Sequence, residues 1–236
     1  DALNSSINGL NKKVDFANKI GQGELNHDFD LLSEEDVLGK SLLDMRSSLV
    51  KAEEEEEKRK VEEEKRRWTN EGLAQFGDIL RQNNDNLENL ATEIIMSLVG
   101  YLKANQGGLF ILNDDDKEDI HFNLLSAFAY DRRKYMQKQI KIGEGLIGTC
   151  ALEKKTIFMI DVPQDYMDIT SGLGGANPSS LLIVPLKLED NVLGVLEIAS
   201  FNKFENHEIE FVEKLAESIG STLSSVRINI QTNELL

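Results

Sequence analysis

Leu181-Leu182-Ile183-Val184-Pro185-Leu186-Lys187-Leu188, Glu189-Asp190-Asn191, Val192-Leu193-Gly194-Val195-Leu196-Glu197-Ile198-Ala199 is the stretch that decides the fold. Two apolar runs read as strands, and the polar triplet between them is short enough to close a hairpin. Upstream, further strand-like runs stand at Gly107–Asn113, His121–Tyr130, Gln139–Ile142 and Thr156–Ile160, with Asp114-Asp115-Asp116 and Gly174-Gly175 as breaks. Downstream, a helix is expected to open at Asn206, whose side chain can cap it. Its apolar stripe runs through Ile209, Val212, Leu215, Ile219, Leu223, Val226 and Ile230. Helix, mostly antiparallel strands, then helix is an α+β layered domain over about residues 72–230.

The N-terminal part follows a different period. Leu3, Ile7, Leu10, Val14 and Ala17 alternate steps of four and three, the a/d seam of a coiled coil. Gly21-Gln22-Gly23 breaks that helix, a polar connector carries Phe29 and Leu31, and a second seam runs Leu38, Leu42, Met45, Leu49, Ala52. Helices this short do not bury a narrow stripe alone, so a partner chain is implied. From Lys51 to Arg67 blocks of glutamate alternate with blocks of lysine and arginine, at a spacing that pairs Glu54 with Lys58, Glu55 with Arg59 and Glu63 with Arg67. One solvated helix is expected there. The seam resumes at Leu73, Phe76 and Leu80 one residue out of step, so a register slip is expected between Lys51 and Glu71, around Val61 and Trp68.

Two resemblances follow from these residues. Gly23-Glu24-Leu25 and Asp36-Val37-Leu38-Gly39, with the heptads around them, resemble the HAMP domain, a relay that follows the last membrane helix of many bacterial receptors. Gly9 departs from that family's usual proline and Val37 from its usual glutamate. Gly143-Glu144-Gly145-Leu146-Ile147-Gly148, Val184-Pro185-Leu186 with Val192-Leu193-Gly194-Val195-Leu196, and Phe204 together resemble the GAF domain. The expected organisation is a HAMP-like relay at 1–52, a charged signalling helix at 53–71, a GAF domain at 72–230 and the start of a connecting helix at 231–236. The relay resemblance implies a parallel four-helix coiled coil with two helices from each chain of a homodimer. Its seam would use Leu10, Val14, Ala17, Leu42, Met45, Leu49, Leu73 and Leu80. The GAF resemblance implies an antiparallel six-stranded sheet flanked by helices. A ligand would lie between the sheet and a variable helical loop at Pro163–Ser179, walled by Phe128, Tyr130, Met159, Asp161, Tyr166 and Ile183.

Composition narrows the function. With 42 acidic against 26 basic residues and a formal charge of −16, nucleic acid is not an expected partner. The longest apolar run, Leu181–Leu186, falls far short of the ~20 residues of a spanning helix. The one cysteine, Cys150, cannot close an intrachain disulfide, which suits a reducing, cytoplasmic setting. No catalytic signature is present, and His27, His121 and His207 are too scattered to make a metal site. No cofactor is expected beyond an unidentified small molecule. Asp1 falls inside a heptad and Asn233-Glu234-Leu235-Leu236 carries no stop signal, so an interior piece of a membrane-anchored receptor is expected, with a kinase, phosphatase or cyclase output beyond it. The alternative is a ligand receptor whose N-terminal helices only dimerise. Asn202-Lys203-Phe204 with Glu208 matches part of a cyclic-nucleotide signature of GAF domains.

Overall fold

The computed structural model describes residues 2–82, 86–129, 132–134, 139–163, 169–171 and 174–234. They form two units, Asp1–Arg66 and Arg67–Leu236.

In the first unit α1 (Ala2–Gly21) is followed by a connector and by the beginning of α2 (Val37–Gln82). Gly23 takes a φ of +81°, the left-handed turn that glycine adopts without strain. Phe16, Ile20 and Leu42 are buried with Ala17, Leu25, Phe29 and Leu43 around them, and the Phe16 and Phe29 rings stack at 4.8 Å. Contacts ascend together along α1 and along the chain entering α2: Gly9 faces Leu32 and Lys13 meets Asp36 in the connector, and the Arg46 guanidinium of α2 lies 6.0 Å from the Phe16 ring. The two helices therefore run in the same direction, with the connector returning between them. Asp36 fixes the entry to α2. It is 6% exposed and accepts from Lys13 Nζ at 2.5 Å, Gly39 N at 2.9 Å and Leu32 N at 3.2 Å. A Cβ on residue 39 would lie 2.6 Å from the Asp36 carboxylate, which explains the glycine.

Helix α2 runs unbroken for 46 residues: it contains no proline, and its glycines, Gly39, Gly72 and Gly77, lie outside the charged stretch 40–71. Arg59 reaches back to Glu56 and forward to Glu63, both at 2.8 Å, in place of the expected pairing with Glu55. A planar guanidinium can accept two carboxylates, so the i−3 and i+4 positions are both satisfied.

In the second unit α3 (Leu87–Tyr101) precedes β1 (Gln106–Asn113), β2 (His121–Ala129), β3 (Arg132–Lys134), β4 (Gln139–Lys141), α4 (Gly145–Glu153), β5 (Ile157–Met159), β6 (Ile169–Ser171), β7 (Gly174–Ala176), β8 (Ser180–Leu188), β9 (Asn191–Ser200) and α5 (Asn206–Glu234). The main sheet is antiparallel in the order β3-β2-β1-β9-β8-β5, with β4 also on β2. All six expected strands are in it, and β3 is a seventh. The β8–β9 hairpin closes through Glu189-Asp190, Glu189 taking a φ of 54°, while Asn191 already belongs to β9. β6 pairs with β7 where a helical loop was expected, consistent with the β-branched Ile169 and Thr170. Asn206 lies inside α5 rather than capping it. The Glu208 carboxylate accepts the Glu205 N–H at 2.7 Å instead.

Each face of the sheet has its own core. On one, Leu109, Phe128, Leu182, Val184, Leu196 and Ile198 meet Phe76 and Leu80 of α2, Leu90, Ile94 and Leu98 of α3, and Phe211, Leu215 and Ile219 of α5. On the other, Phe110, Phe122, Leu181, Ile183, Val195 and Ala199 meet Ile147, Cys150 and Ala151 of α4. Leu73 and Leu80, expected on a dimer seam, thus pack within the domain: Leu80 is buried and Leu73 lies against the same core. The heptad step that suggested a seam is the amphipathic stripe of a domain helix.

Candidate functional site

The α4 face of the sheet holds the candidate site. Residues 181 and 183 of β8 and 195 and 199 of β9 point toward α4, and strand alternation places Glu197 with them. Glu197 is only 7% exposed. Its strand neighbours across the ladders are Gly108 on β1 and Ile183 on β8, and Gly108 in turn faces Ala127 on β2. A row across four strands therefore reads Ala127, Gly108, Glu197, Ile183: a carboxyl group flanked on one side by positions with little or no side chain. Phe110 and Leu124 stand close by, 3.3 and 3.4 Å from where a Cβ on residue 108 would be.

β2 contributes to both cores, as β1, β8 and β9 do, but a bulge changes which of its residues face each side. Its pairing with β1 runs Leu109 to Ser126 and then Phe110 to Leu124, leaving Leu125 as an extra residue. Before the bulge Phe122 and Leu124 face α4; after it Phe128 joins the other core and Ser126 lies 3.2 Å from Thr92 of α3. Phe128, expected on the pocket wall, accordingly lies on the opposite face from Ile183, since alternation counted without the bulge inverts every residue beyond it. Of the other expected wall residues, Ile183 and Met159 lie on the α4 side, Asp161 is exposed, and Tyr130 and Tyr166 fall outside the described residues. Glu197 was missed. The signal available was a single acidic residue within the otherwise apolar Val192–Ala199.

Cys150 sits on α4 under the same face, fully buried, with its thiol 3.8 Å from the Ile183 carbonyl. Burial pushes it up to about 12, so at neutral pH it is a protonated thiol with no nucleophilic thiolate. Asn202, Phe204 and Glu208 have structural duties: the Asn202 carbonyl accepts from Ser180 Oγ at 2.6 Å, Phe204 is buried, and Glu208 caps α5. A separate groove of about 440 Å³ is lined by Lys154, Lys155, Thr156 and Lys187 opposite Glu213 and Glu217, with the Thr156 hydroxyl donating to Glu213 at 2.6 Å. Among the described residues no group of acidic, histidine and cysteine side chains is arranged to hold a metal ion, and no helix is long and apolar enough to cross a membrane.

Helices on one side, a short helix and its loops on the other, and a curled antiparallel sheet between define a sensory, ligand-binding class of domain. The GAF domain family matches residues 84–224, and the chain belongs to that family. The chain is similar in fold to the GAF domain of a phosphoenolpyruvate-protein phosphotransferase from Coxiella burnetii, with 22% identity, a TM-score of 0.54, and 68% of this chain and 95% of that one covered. The corresponding domain from Acinetobacter gives 13% identity and a TM-score of 0.56 over 69% and 97%. A free methionine-R-sulfoxide reductase from Neisseria meningitidis, determined in complex with its substrate, gives 17% and 0.55 over 68% and 91%. No curated protein matches the chain closely enough to count as a relative.

Proposed function

We propose that the chain is the signal-transducing portion of a membrane-bound bacterial receptor, in which a HAMP-like relay and a signalling helix lead to a GAF domain that binds a small molecule on its α4 face. The observation that carries this reading is the continuity of α2: the helix that begins in the first unit ends with Phe76 and Leu80 inside the GAF core. A change in how that helix is held at one end alters what the other end must pack against. The parallel course of α1 and α2, the glycine at residue 23 and the Asp36 lock support the relay assignment. Leu10, Val14, Met45 and Leu49 are 41–56% exposed, while Ala17 and Leu42 turn inward. The exposed set is the stripe through which a second copy would complete a four-helix bundle. In this reading the chain lies in the cytoplasm, a membrane segment precedes it, a separate output module follows it, and it carries no catalytic group of its own.

Sedimentation tests the dimer. The chain should sediment as a dimer at tens of micromolar and shift to monomer on Leu10→Glu with Met45→Glu. A wild-type monomer overturns the relay reading. Ligand binding is tested separately, by native mass spectrometry of the chain after incubation with a mixed metabolite extract, where failure to retain any small molecule overturns the sensor reading.

A further inference from the structure

We infer that the charged section of α2 is itself an interaction surface, and that its partner is the same section of a second copy of this chain, lying parallel and in register. The inference rests on the dimer proposed above and adds the residues that fix its orientation. Met45, Leu49 and Ala52 follow one another at steps of four and three, and Met45 and Leu49 are exposed on the stripe that a second copy would cover. The same steps continue through Glu56, Arg59, Glu63 and Arg66, so the seam passes from apolar to charged with no break in the helix. Every residue from 51 to 64 is exposed, so nothing within the chain covers this part of it. Beside the seam stand Glu55 and Glu62 on one flank and Lys60 and Arg67 on the other. Arg59 takes Glu56 and Glu63 within its own helix, whereas among the described residues none of these four flanking side chains makes an ion pair within the chain. In a parallel pair of helices, a residue just before the seam meets the one five positions further on in the partner. Glu55 then faces the partner's Lys60 and Glu62 faces the partner's Arg67, each pair formed twice by symmetry. In an antiparallel pair the same flanks meet like with like, glutamate against glutamate and cation against cation. The pattern therefore accepts a parallel partner and rejects the reverse one. At the seam itself Glu56 and Glu63 each meet their own copies, and the arginine layers about one helical turn away offset that repulsion, each guanidinium having a glutamate of either chain within reach.

Ala52→Cys in the full 236-residue chain puts a thiol on the seam just before the charged section, and Cys150 is buried, so mild oxidation reports on residue 52. A disulfide-linked dimer should form, since two copies of residue 52 meet in a parallel, in-register pair. Glu55→Lys with Glu62→Lys should weaken the dimer about 10- to 100-fold in sedimentation and slow the crosslink. Adding Lys60→Glu and Arg67→Glu reverses every interchain pair and should restore both readouts. Within one helix those added changes set new carboxylates four positions from Glu56 and Glu63, which is unfavourable, so recovery comes from across the interface. In about 1 M salt, where the screening length is about 3 Å, the gap between the wild type and the doubly reversed variant should close. Undiminished affinity in the doubly reversed variant, no recovery in the four-substitution variant, or a gap that salt leaves unchanged overturns the inference and leaves the relay reading standing. A dimer that does not crosslink through residue 52 is not parallel and overturns both, as does a monomeric wild type.

Discussion

The hydroxyl of Tyr101 donates to the main-chain carbonyl of Trp68 at 2.6 Å, tying the end of α3 to the α2 backbone. The Trp68 and Tyr101 rings stack at 4.8 Å, and Phe211 of α5 closes the group with its centroid 5.1 Å from Trp68 and 5.2 Å from Tyr101. Burial and the nearby Glu71 carboxylate raise the Tyr101 phenol above its ordinary range. Tyr101→Phe keeps the stacking and removes the hydrogen bond, and should cost about 0.5–1.5 kcal/mol. Urea unfolding followed by the fluorescence of Trp68, the chain's one tryptophan, measures it.

Gly72 stands where α2 passes under these rings. A Cβ there would lie 2.7 Å from both the Phe211 and Tyr101 rings. Gly72→Ala gains about 1 kcal/mol of helix propensity, but forced repacking of a close-packed aromatic group costs about 1–3 kcal/mol. The net expected result is a lower urea midpoint, and a raised midpoint would show that the rings move aside.

Asp36 gives the two-helix unit a pH dependence. The Lys13 ammonium and the Gly39 and Leu32 amides hold its carboxyl below the usual carboxylate range. A carboxyl with a lowered folded-state value stabilises the fold above its unfolded value of about 3.9, and that contribution disappears as pH falls through the lower folded value. Helix content by circular dichroism should therefore decline at acid pH in the wild type. In Asp36→Asn the unit should be loosened already at pH 7, with that acid step absent.

Cys150 should be inert. In the folded chain at pH 8 iodoacetamide should leave it unlabelled over hours, with complete labelling in 6 M guanidinium, as mass spectrometry would record. A thiol raised on folding contributes stability below its unfolded value of about 8.5, lost as pH climbs from there toward about 12. Cys150→Ser should destabilise the domain by about 1–3 kcal/mol, because a hydroxyl replaces a small apolar group in a closed core.

The architecture was legible where one local rule acts alone. The Glu189-Asp190 turn, the charged stretch of α2 and the stripe of α5 all follow from spacing. The GAF assignment followed from the order of its glycines and its hairpin. Reading failed where two rules compete. Leu73 and Leu80 satisfy a heptad and a domain core equally well, and only the presence of α3 and α5 decides between them. Phe128 was misplaced because a bulge leaves no composition signal: Leu125 looks like any other strand residue. Glu197 was passed over because single charges in apolar runs are common at edges, and its central place becomes visible only once β1 and β8 are known to flank β9.

The bulge at Leu125 shifts which residues of β2 face each layer. Phe122 and Leu124 belong to one layer, and Ser126 and Phe128 to the other. A single extra residue thus divides four even-numbered residues of one strand between two layers, where strict alternation would have kept them all in one.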